Sequence, residues 1–226
     1  EVGDGDRKQL MSGTIDRVDI CENDTDVYVR IIDYKTGKKD FNIVKTYYGI
    51  DIQLMVYMEA AMKLVAKMRP GKNVIPAGVF YYNISDPIVS ATTESAEEIE
   101  DKIKGELRLK GMVNSDKDIA EKMDNTGGTS LNIPVSRKAD GGFDSRRSKV
   151  MNTEQFNMLG RFVDVRAVDT ADRIAGGDIR RSPYKDGQFS SCDRCPYGAV
   201  CGFSVDLPGC NYRKLKKFDD EVLWNN

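Results

Sequence analysis

Two carboxylates and a lysine occupy positions that one β-hairpin would bring together. Gly13-Thr14-Ile15-Asp16-Arg17-Val18-Asp19 is followed by Ile32-Asp33-Tyr34-Lys35. The chain is rich in Ile and Val from Met11 to Cys21 and again from Val27 to Lys35, with partial alternation. The polar stretch Glu22-Asn23-Asp24-Thr25-Asp26 lies between them and reads as a turn. If the turn centres on Asp24 and Thr25, paired residue numbers sum to 49. Asp16 then faces Asp33, with β-carbons about 4.5–5.5 Å apart. Asp33 and Lys35 are two apart on one strand and point to the same side.

Like charges directly opposite one another destabilise a sheet, so a bare Asp16–Asp33 pair asks for a cation. Two carboxylates with a few waters suit Mg²⁺ or Mn²⁺, hard ions that take oxygen ligands. Such an ion would polarise a phosphate oxygen and lower the pKa of a bound water. Lys35 would orient that water or offset charge on the phosphorus centre. A solvated hairpin could carry the same residues on its wet face. The apolar run Val27, Val29, Ile31 and Ile32 before Asp33 instead favours a largely buried strand, ended by Gly37.

The spacing predicts a helix of about five turns from Gly49 to Met68, apolar around most of its surface and stopped by Arg69-Pro70-Gly71. Gln53 and Tyr57 are four apart and share a face of it. Taken alone, they could equally be a surface amide and a core ring.

These three segments together resemble the RecB-type branch of the PD-(D/E)xK nucleases: Gly-x-Ile-Asp-Arg-Val-Asp, then Ile-Ile-Asp-Tyr-Lys-Thr-Gly, then Tyr48-Gly49-x-x-x-Gln53-Leu54-x-x-Tyr57. The resemblance implies Asp16 and Asp33 as metal ligands, with the Tyr34 backbone carbonyl as a further one. It implies Lys35 as the catalytic lysine, and Gln53 and Tyr57 as a supporting motif that packs on the site or touches DNA. The implied fold is α/β, a restriction-endonuclease-like mixed sheet flanked by helices.

The C-terminal part narrows the resemblance. Cys192, Cys195 and Cys201 form C-x2-C-x5-C, followed by Gly202-Phe203 and Pro208-Gly209-x-x-Tyr212-Arg213. Three thiols at this spacing read as soft-metal ligands, for zinc or iron–sulfur. Beside the nuclease motifs, the segment and the approach Gly177-Asp178-Ile179-Arg180-Arg181-Ser182-Pro183-Tyr184 resemble the AddB family, one of the two components of AddAB helicase–nucleases. That family holds a 4Fe-4S cluster with a fourth Cys far upstream. The resemblance implies a nuclease core over residues 1–186 and a Cys-rich staple over 187–226. It also implies DNA as substrate, an AddA-like helicase–nuclease subunit as partner, and Arg180 and Arg181 as weak DNA-binding candidates.

The chain departs from the family pattern in two ways. It carries no matching upstream Cys, and no acidic or His residue is assigned to complete the metal site; there is no His at all. It starts at Glu1 rather than Met. The expectation is an excised C-terminal domain whose cluster is incomplete or absent. Cys210 stands close enough to the triplet to act as a substitute ligand, and Cys21 reads as a small buried hydrophobe.

Composition sets bounds without deciding the function. A chain of 226 residues, 40% of them hydrophobic, can bury one sizeable core. It has no 18-residue apolar run and no signal peptide. Five cysteines without an even extracellular pattern suggest a reducing cytoplasm. A net charge of −2 counts against a stand-alone nucleic-acid binder. Local basic clusters nevertheless occur at Arg146-Arg147-x-Lys149, Arg180-Arg181 and Arg213-Lys214-x-Lys216-Lys217.

Along the remaining chain, Val74 to Ile84 reads as a buried strand. Ser95-x-x-Glu98 is a capping box for a helix striped by Ile99, Ile103 and Leu107. Asp116 to Met123 reads as a short helix. Residues 124–144 read as a mobile insertion interrupted by a short strand over Leu131–Ser136. Thr153 is expected to cap a long helix with Phe156, Leu159, Val163 and Ala167 inward, ending at Gly176-Gly177.

Two readings stay open. One is a Mg²⁺- or Mn²⁺-dependent deoxyribonuclease domain, an exonuclease by resemblance, within a helicase–nuclease that processes double-strand-break ends. The other is a non-catalytic clamp on DNA or on a partner protein. Within the enzyme class a CRISPR-adaptation-type exonuclease shares the nuclease motifs, but the Pro-Gly-x-x-Tyr-Arg tail favours the AddB family.

Overall fold

The computed structural model describes residues 12–84, 86–89, 95–216 and 224. Met11 and Lys217, placed above on the first strand and in a basic cluster, lie outside these residues. The chain divides into two compact units. The larger runs to Val165, and the smaller takes the chain from Arg166 on.

The larger unit is built on a five-stranded mixed sheet flanked by helices. Its strands are β1 (Arg17–Glu22), β2 (Asp26–Lys35), β3 (Asn73–Asn83), β4 (Lys110–Asn114) and β5 (Val150–Met151). They lie side by side in chain order. β1 and β2 are antiparallel, β2 and β3 parallel, β3 and β4 antiparallel, β4 and β5 parallel. The hairpin register is the one the turn predicts, from Arg17 opposite Ile32 to Glu22 opposite Val27. Asn23 closes the turn, its side-chain oxygen accepting from the Thr25 and Asp26 amides at 2.9 and 2.7 Å.

β2 is the central element. Its odd-numbered residues Val27, Val29, Ile31 and Asp33 form one buried row, and the row ends on the carboxylate. Each fully buried aliphatic side chain in such a row contributes about 1.5–3 kcal/mol. β3 carries one extra residue, Ala77, where the register shifts between Val29 and Arg30 of β2. The buried Asn114 then ties three elements together, donating to the Pro76 carbonyl at 2.7 Å and to Thr153 Oγ1 at 2.8 Å.

The helix expected from Gly49 to Met68 starts later, at Gln53, and a separate short helix precedes Gly49. α1 (Ile43–Tyr47) is capped by Asn42, and the chain turns at Gly49 with φ +72°, a conformation glycine adopts without a Cβ penalty. α2 (Gln53–Met68) follows and buries Leu54, Met55, Met58, Ala61 and Val65 beneath β2 and β3. Thr46 fixes the junction, its hydroxyl reaching the Asp51 carbonyl at 2.9 Å. That junction sets where Gln53 begins.

α3 (Ala96–Leu107) has the expected capping box, and α4 (Lys117–Met123) starts at Asp116. The long helix α5 (Thr153–Ala175) buries Phe156, Leu159, Gly160 and Val163. Its cap is Asn152 rather than Thr153: Asn152 and Gln155 exchange side-chain-to-amide bonds at 2.8 and 2.9 Å.

Residues 124–144 differ from both expectations. Leu131–Ser136 is not a strand, because Pro134 removes a donor from the middle of it. The segment is also not a loose insertion: Ile133 and Val135 are buried against Ile32, Phe80, Val113 and Ala120. Asp124 organises it, accepting from Ser130 Oγ at 2.5 Å, Asn132 Nδ2 at 3.0 Å and the Thr126 amide at 2.8 Å. Cys21 is exposed rather than buried, because it lies on the edge strand of the sheet.

The smaller unit contains a second sheet, with β7 (Phe189–Ser190), β6 (Tyr184–Asp186) and β8 (Arg213–Lys214) in that order, and the short helix α6 (Gly198–Cys201). No helix among the described residues is long and apolar enough to cross a membrane.

Candidate active site

The hairpin brings its three marked side chains to one place. Asp16 lies one step beyond the last paired residue of β1, next to Arg17 opposite Ile32. Its Oδ2 accepts the Tyr34 backbone amide at 2.9 Å, so the carboxylate is fixed beside Asp33. Asp33 is 2% exposed because it continues the dry row of β2. Lys35, two residues on, sets its ammonium 2.5 Å from Asp33 Oδ2.

α2 supplies the next link. Lys35 Nζ donates to Gln53 Oε1 at 3.0 Å, and Gln53 Nε2 donates to the Tyr57 hydroxyl at 3.0 Å. Four-residue spacing stacks Gln53 and Tyr57 on one face of the helix, and one amide bridges lysine and phenol. A Cβ on Gly13 would come within 3.3 Å of the Tyr57 ring, so the glycine lets the Asp16 segment pass against Tyr57.

Asp33 Oδ2 is buried and has no hydrogen-bond partner. The nearby Lys35 ammonium supplies charge without a bond of acceptable direction. The ion pair offsets the charge, and the lone pairs of Oδ2 that no hydrogen bond uses are open to a further cation. Carboxylate oxygens of Asp16 and Asp33 are hard donors of the kind that suits Mg²⁺ or Mn²⁺. The residues present therefore fit a hard divalent ion.

Three further residues around the site carry no marking in the sequence. Tyr81, opposite Asp33 on β3, donates to Asp51 Oδ1 at 3.0 Å. Asp51 Oδ2 pairs with Lys39 Nζ at 3.0 Å. The Lys35 and Lys39 ammoniums stand 5.5 and 5.6 Å from the Tyr81 ring centroid, within cation–π range. Burial first, then the Asp51 charge and the bond to it, push the Tyr81 phenol far above its ordinary pKa. Tyr81 is thus a permanent hydroxyl donor. The period of β3 placed it in the core, but only tertiary packing could reveal its partner.

The cysteine segment lies in the smaller unit. Cys192, Cys195 and Cys201 sit on consecutive turns, with the Cys195 amide donating to the Cys192 carbonyl at 3.2 Å and the Cys201 amide to the Tyr197 carbonyl at 2.9 Å. All five cysteines are free thiols. Soft thiolates match iron–sulfur chemistry, yet among the described residues no three of His, Cys, Asp and Glu converge into a group able to hold a metal ion. Arg180 is held by Asp178 at 2.7 and 2.9 Å, and Arg181 donates to the Gly202 carbonyl at 2.9 Å.

Comparison with known proteins gives a consistent result. Residues 2–202 match the family model of the PD-(D/E)XK nuclease superfamily. The chain is 37% identical over 215 residues to the ATP-dependent helicase/deoxyribonuclease B subunit of Thermoanaerobacter sp. (strain X514), covering 94% of this chain and 18% of that protein. It is 36% identical over 230 residues to the protein of the same name from Lachnoclostridium phytofermentans, covering 97% and 20%. Against that of Clostridium botulinum (strain Hall) it is 38% identical over 215 residues, covering 94% and 19%. The chain thus spans about a fifth of the length of these relatives.

Proposed function

The chain belongs to the PD-(D/E)XK nuclease superfamily, and from that membership we propose that it is a divalent-metal-dependent deoxyribonuclease domain that hydrolyses phosphodiester bonds. The observation that carries the proposal is the buried Asp33 carboxylate paired with the Lys35 ammonium at 2.5 Å, next to the Tyr34 amide that binds Asp16. Asp16, Asp33 and the Tyr34 carbonyl would hold Mg²⁺ or Mn²⁺. When bound, the ion supplies Lewis acidity toward a phosphate oxygen and acidifies a water.

The chain's own residues do the positioning. The Tyr34 amide holds Asp16 toward the site, and the buried row of β2 gives Asp33 one fixed direction. Lys35 presents its ammonium to the attacking water and to charge that develops on the phosphoryl oxygens. Gln53 restrains Lys35, and Tyr57 restrains Gln53, so little freedom is lost when the substrate arrives. The water oxygen bonds to phosphorus, one ester P–O bond breaks, and the leaving sugar oxygen ends protonated.

The relatives' names pair a helicase with a deoxyribonuclease and call each protein a subunit. On that basis the domain would act as an exonuclease within a cytoplasmic helicase–nuclease, beside an AddA-like partner, at double-strand-break ends. Cys192, Cys195 and Cys201 would supply three ligands of a 4Fe-4S cluster, with the fourth outside this chain. Calorimetric titration with Mn²⁺ tests the centre of the reading. Wild-type protein should bind the ion and Asp33→Ala should not; equal binding by both would remove Asp33 from the metal site.

A further inference from the structure

Lys39 lies outside the motifs that mark the active site, yet the fold fixes both its backbone and its side chain. Asn83, the register partner of Lys35 on β3, clamps the backbone. The Lys39 amide donates to Asn83 Oδ1, and Asn83 Nδ2 donates to the Lys39 carbonyl, each at 3.0 Å. The Lys39 ammonium lies 3.0 Å from Asp51 Oδ2, and the Tyr81 hydroxyl anchors Asp51 in turn at 3.0 Å.

This ion pair is lopsided. The Asp51 side chain is 9% exposed and that of Lys39 is 41% exposed. A carboxylate this buried needs a cation, but an ammonium carries three donors and Asp51 engages it from one side. The result is a lysine held in one place with donors still open to solvent.

Those donors border a cavity of about 530 Å³, lined also by Gly13, Ile52, Gln53, Val56 and Tyr57. The cavity opens beside the candidate active site. Gln53 accepts from Lys35 at 3.0 Å, Tyr57 accepts from Gln53 at 3.0 Å, and Gly13 precedes Asp16 by one short step of chain. Among the described residues lining the cavity, Lys39 is the one cation. The Lys35 and Lys39 ammoniums stand 5.5 and 5.6 Å from the Tyr81 ring centroid, so no more than about 11 Å separates them. Neighbouring phosphates of one DNA strand can bridge such a span. Ile52 and Val56 give the cavity an apolar wall that suits the sugar between two phosphates.

We propose that Lys39 is a phosphate-binding residue that holds the phosphate next to the one being cut, while the cavity takes the nucleoside between them. Asp51 and Tyr81 keep the ammonium in place, so little freedom is lost when the strand arrives. The contact sets where along the strand the scissile bond lies relative to Asp33 and Lys35. The proposal rests on the reading of Asp16, Asp33 and Lys35 as the nuclease site.

The test uses the full chain and single-stranded oligonucleotides of one sequence, each with one uncharged methylphosphonate linkage at a different position. Cut sites and KM are measured in Mn²⁺ for wild type, Lys39→Met and Lys39→Arg. In wild type, neutralising the linkage that Lys39 holds, at a fixed distance from the cut, should raise KM roughly tenfold, as for one hydrogen bond to a charged group. Lys39→Met should show that rise on the unmodified strand and no further loss at that linkage, and Lys39→Arg should keep the wild-type pattern. Binding of the unmodified strand in EDTA should lose about 0.7 from its salt slope in Lys39→Met, a change that a purely structural ion pair would not produce. If Lys39→Met fails to fold because Asp51 is left unpaired, the double variant Lys39→Met/Asp51→Asn removes the buried charge and is read in the same way. A folded variant with the wild-type salt slope, or with wild-type sensitivity to every neutral linkage, would overturn the proposal. Cleavage by Asp33→Ala would instead sink the nuclease reading, so the two failures are separable.

Discussion

The Lys35 ammonium donates to the Gln53 side-chain oxygen at 3.0 Å, joining the end of β2 to the first turn of α2. Since Gln53 in turn donates to Tyr57 at 3.0 Å, the lysine is restrained by a relay two residues deep. Gln53→Ala should lower kcat by roughly 10- to 100-fold, as expected for losing a hydrogen bond to a charged group. Tyr57→Phe should cost less, and Lys35→Ala should cost most. Steady-state kinetics on linear DNA would check the order. A Gln53→Ala enzyme with full kcat would show that the relay does not position Lys35.

Asp33 is under opposing demands. Its buried carboxylate pairs with the Lys35 ammonium at 2.5 Å, and the proposed site also asks it to hold a metal ion. Asp33→Asn should therefore abolish cleavage and lower the thermal midpoint in EDTA by several degrees, because the Lys35 ammonium loses its partner. Added Mn²⁺ should stabilise the wild type and leave the variant where it was. Thermal melts with and without metal read both effects. A variant that gains stability from Mn²⁺ as the wild type does would contradict the account.

Gly111 allows β4 to approach β3. A Cβ there would stand 1.9 Å from the Val79 carbonyl oxygen and 2.8 Å from the Phe80 Cα. Both neighbours are backbone atoms and cannot rotate aside. Gly111→Ala should cost about 3 kcal/mol or more by forcing the strands apart, read as a lowered denaturant midpoint. An unchanged midpoint would mean that the strand pair yields freely.

Asp124 ties residues 124–144 to the core, and its pKa is held low, at about 2. Burial alone would raise it, but bonds from Ser130, Thr126 and Asn132 more than offset that. A depressed carboxylate stabilises the fold above its unfolded pKa, near 3.9, and that stabilisation is lost as pH falls through the folded value. Wild-type stability should thus fall between about pH 4 and pH 2 by an amount that Asp124→Asn lacks. At neutral pH the variant should be less stable by about 2 kcal/mol. Denaturant titrations at several pH values give both numbers.

The parts of this site that were legible in the sequence are those governed by local rules. The five-residue polar turn fixed the sum-49 register, which holds from Arg17 opposite Ile32 to Glu22 opposite Val27 and places Asp16 beside Asp33. Helical spacing put Gln53 over Tyr57. The illegible parts depend on partners far along the chain. Nothing local tells that Tyr81 meets Asp51, or that Gly13 leaves room for the Tyr57 ring. The apolar pattern runs on through Ile50 and Ile52, so the turn at Gly49 (φ +72°) and the later start of α2 at Gln53 were not legible. Ile133 and Val135 alternate as a strand would, but they are buried in a segment held by the Asp124 side chain instead of a ladder.

The measurement that tests the central claim most directly is cleavage of linear single-stranded DNA by this chain, in Mn²⁺ and in EDTA, beside the Asp33→Ala variant. The account predicts products only for the wild type with Mn²⁺. Equal cleavage by Asp33→Ala, or cleavage that persists in EDTA, would contradict it.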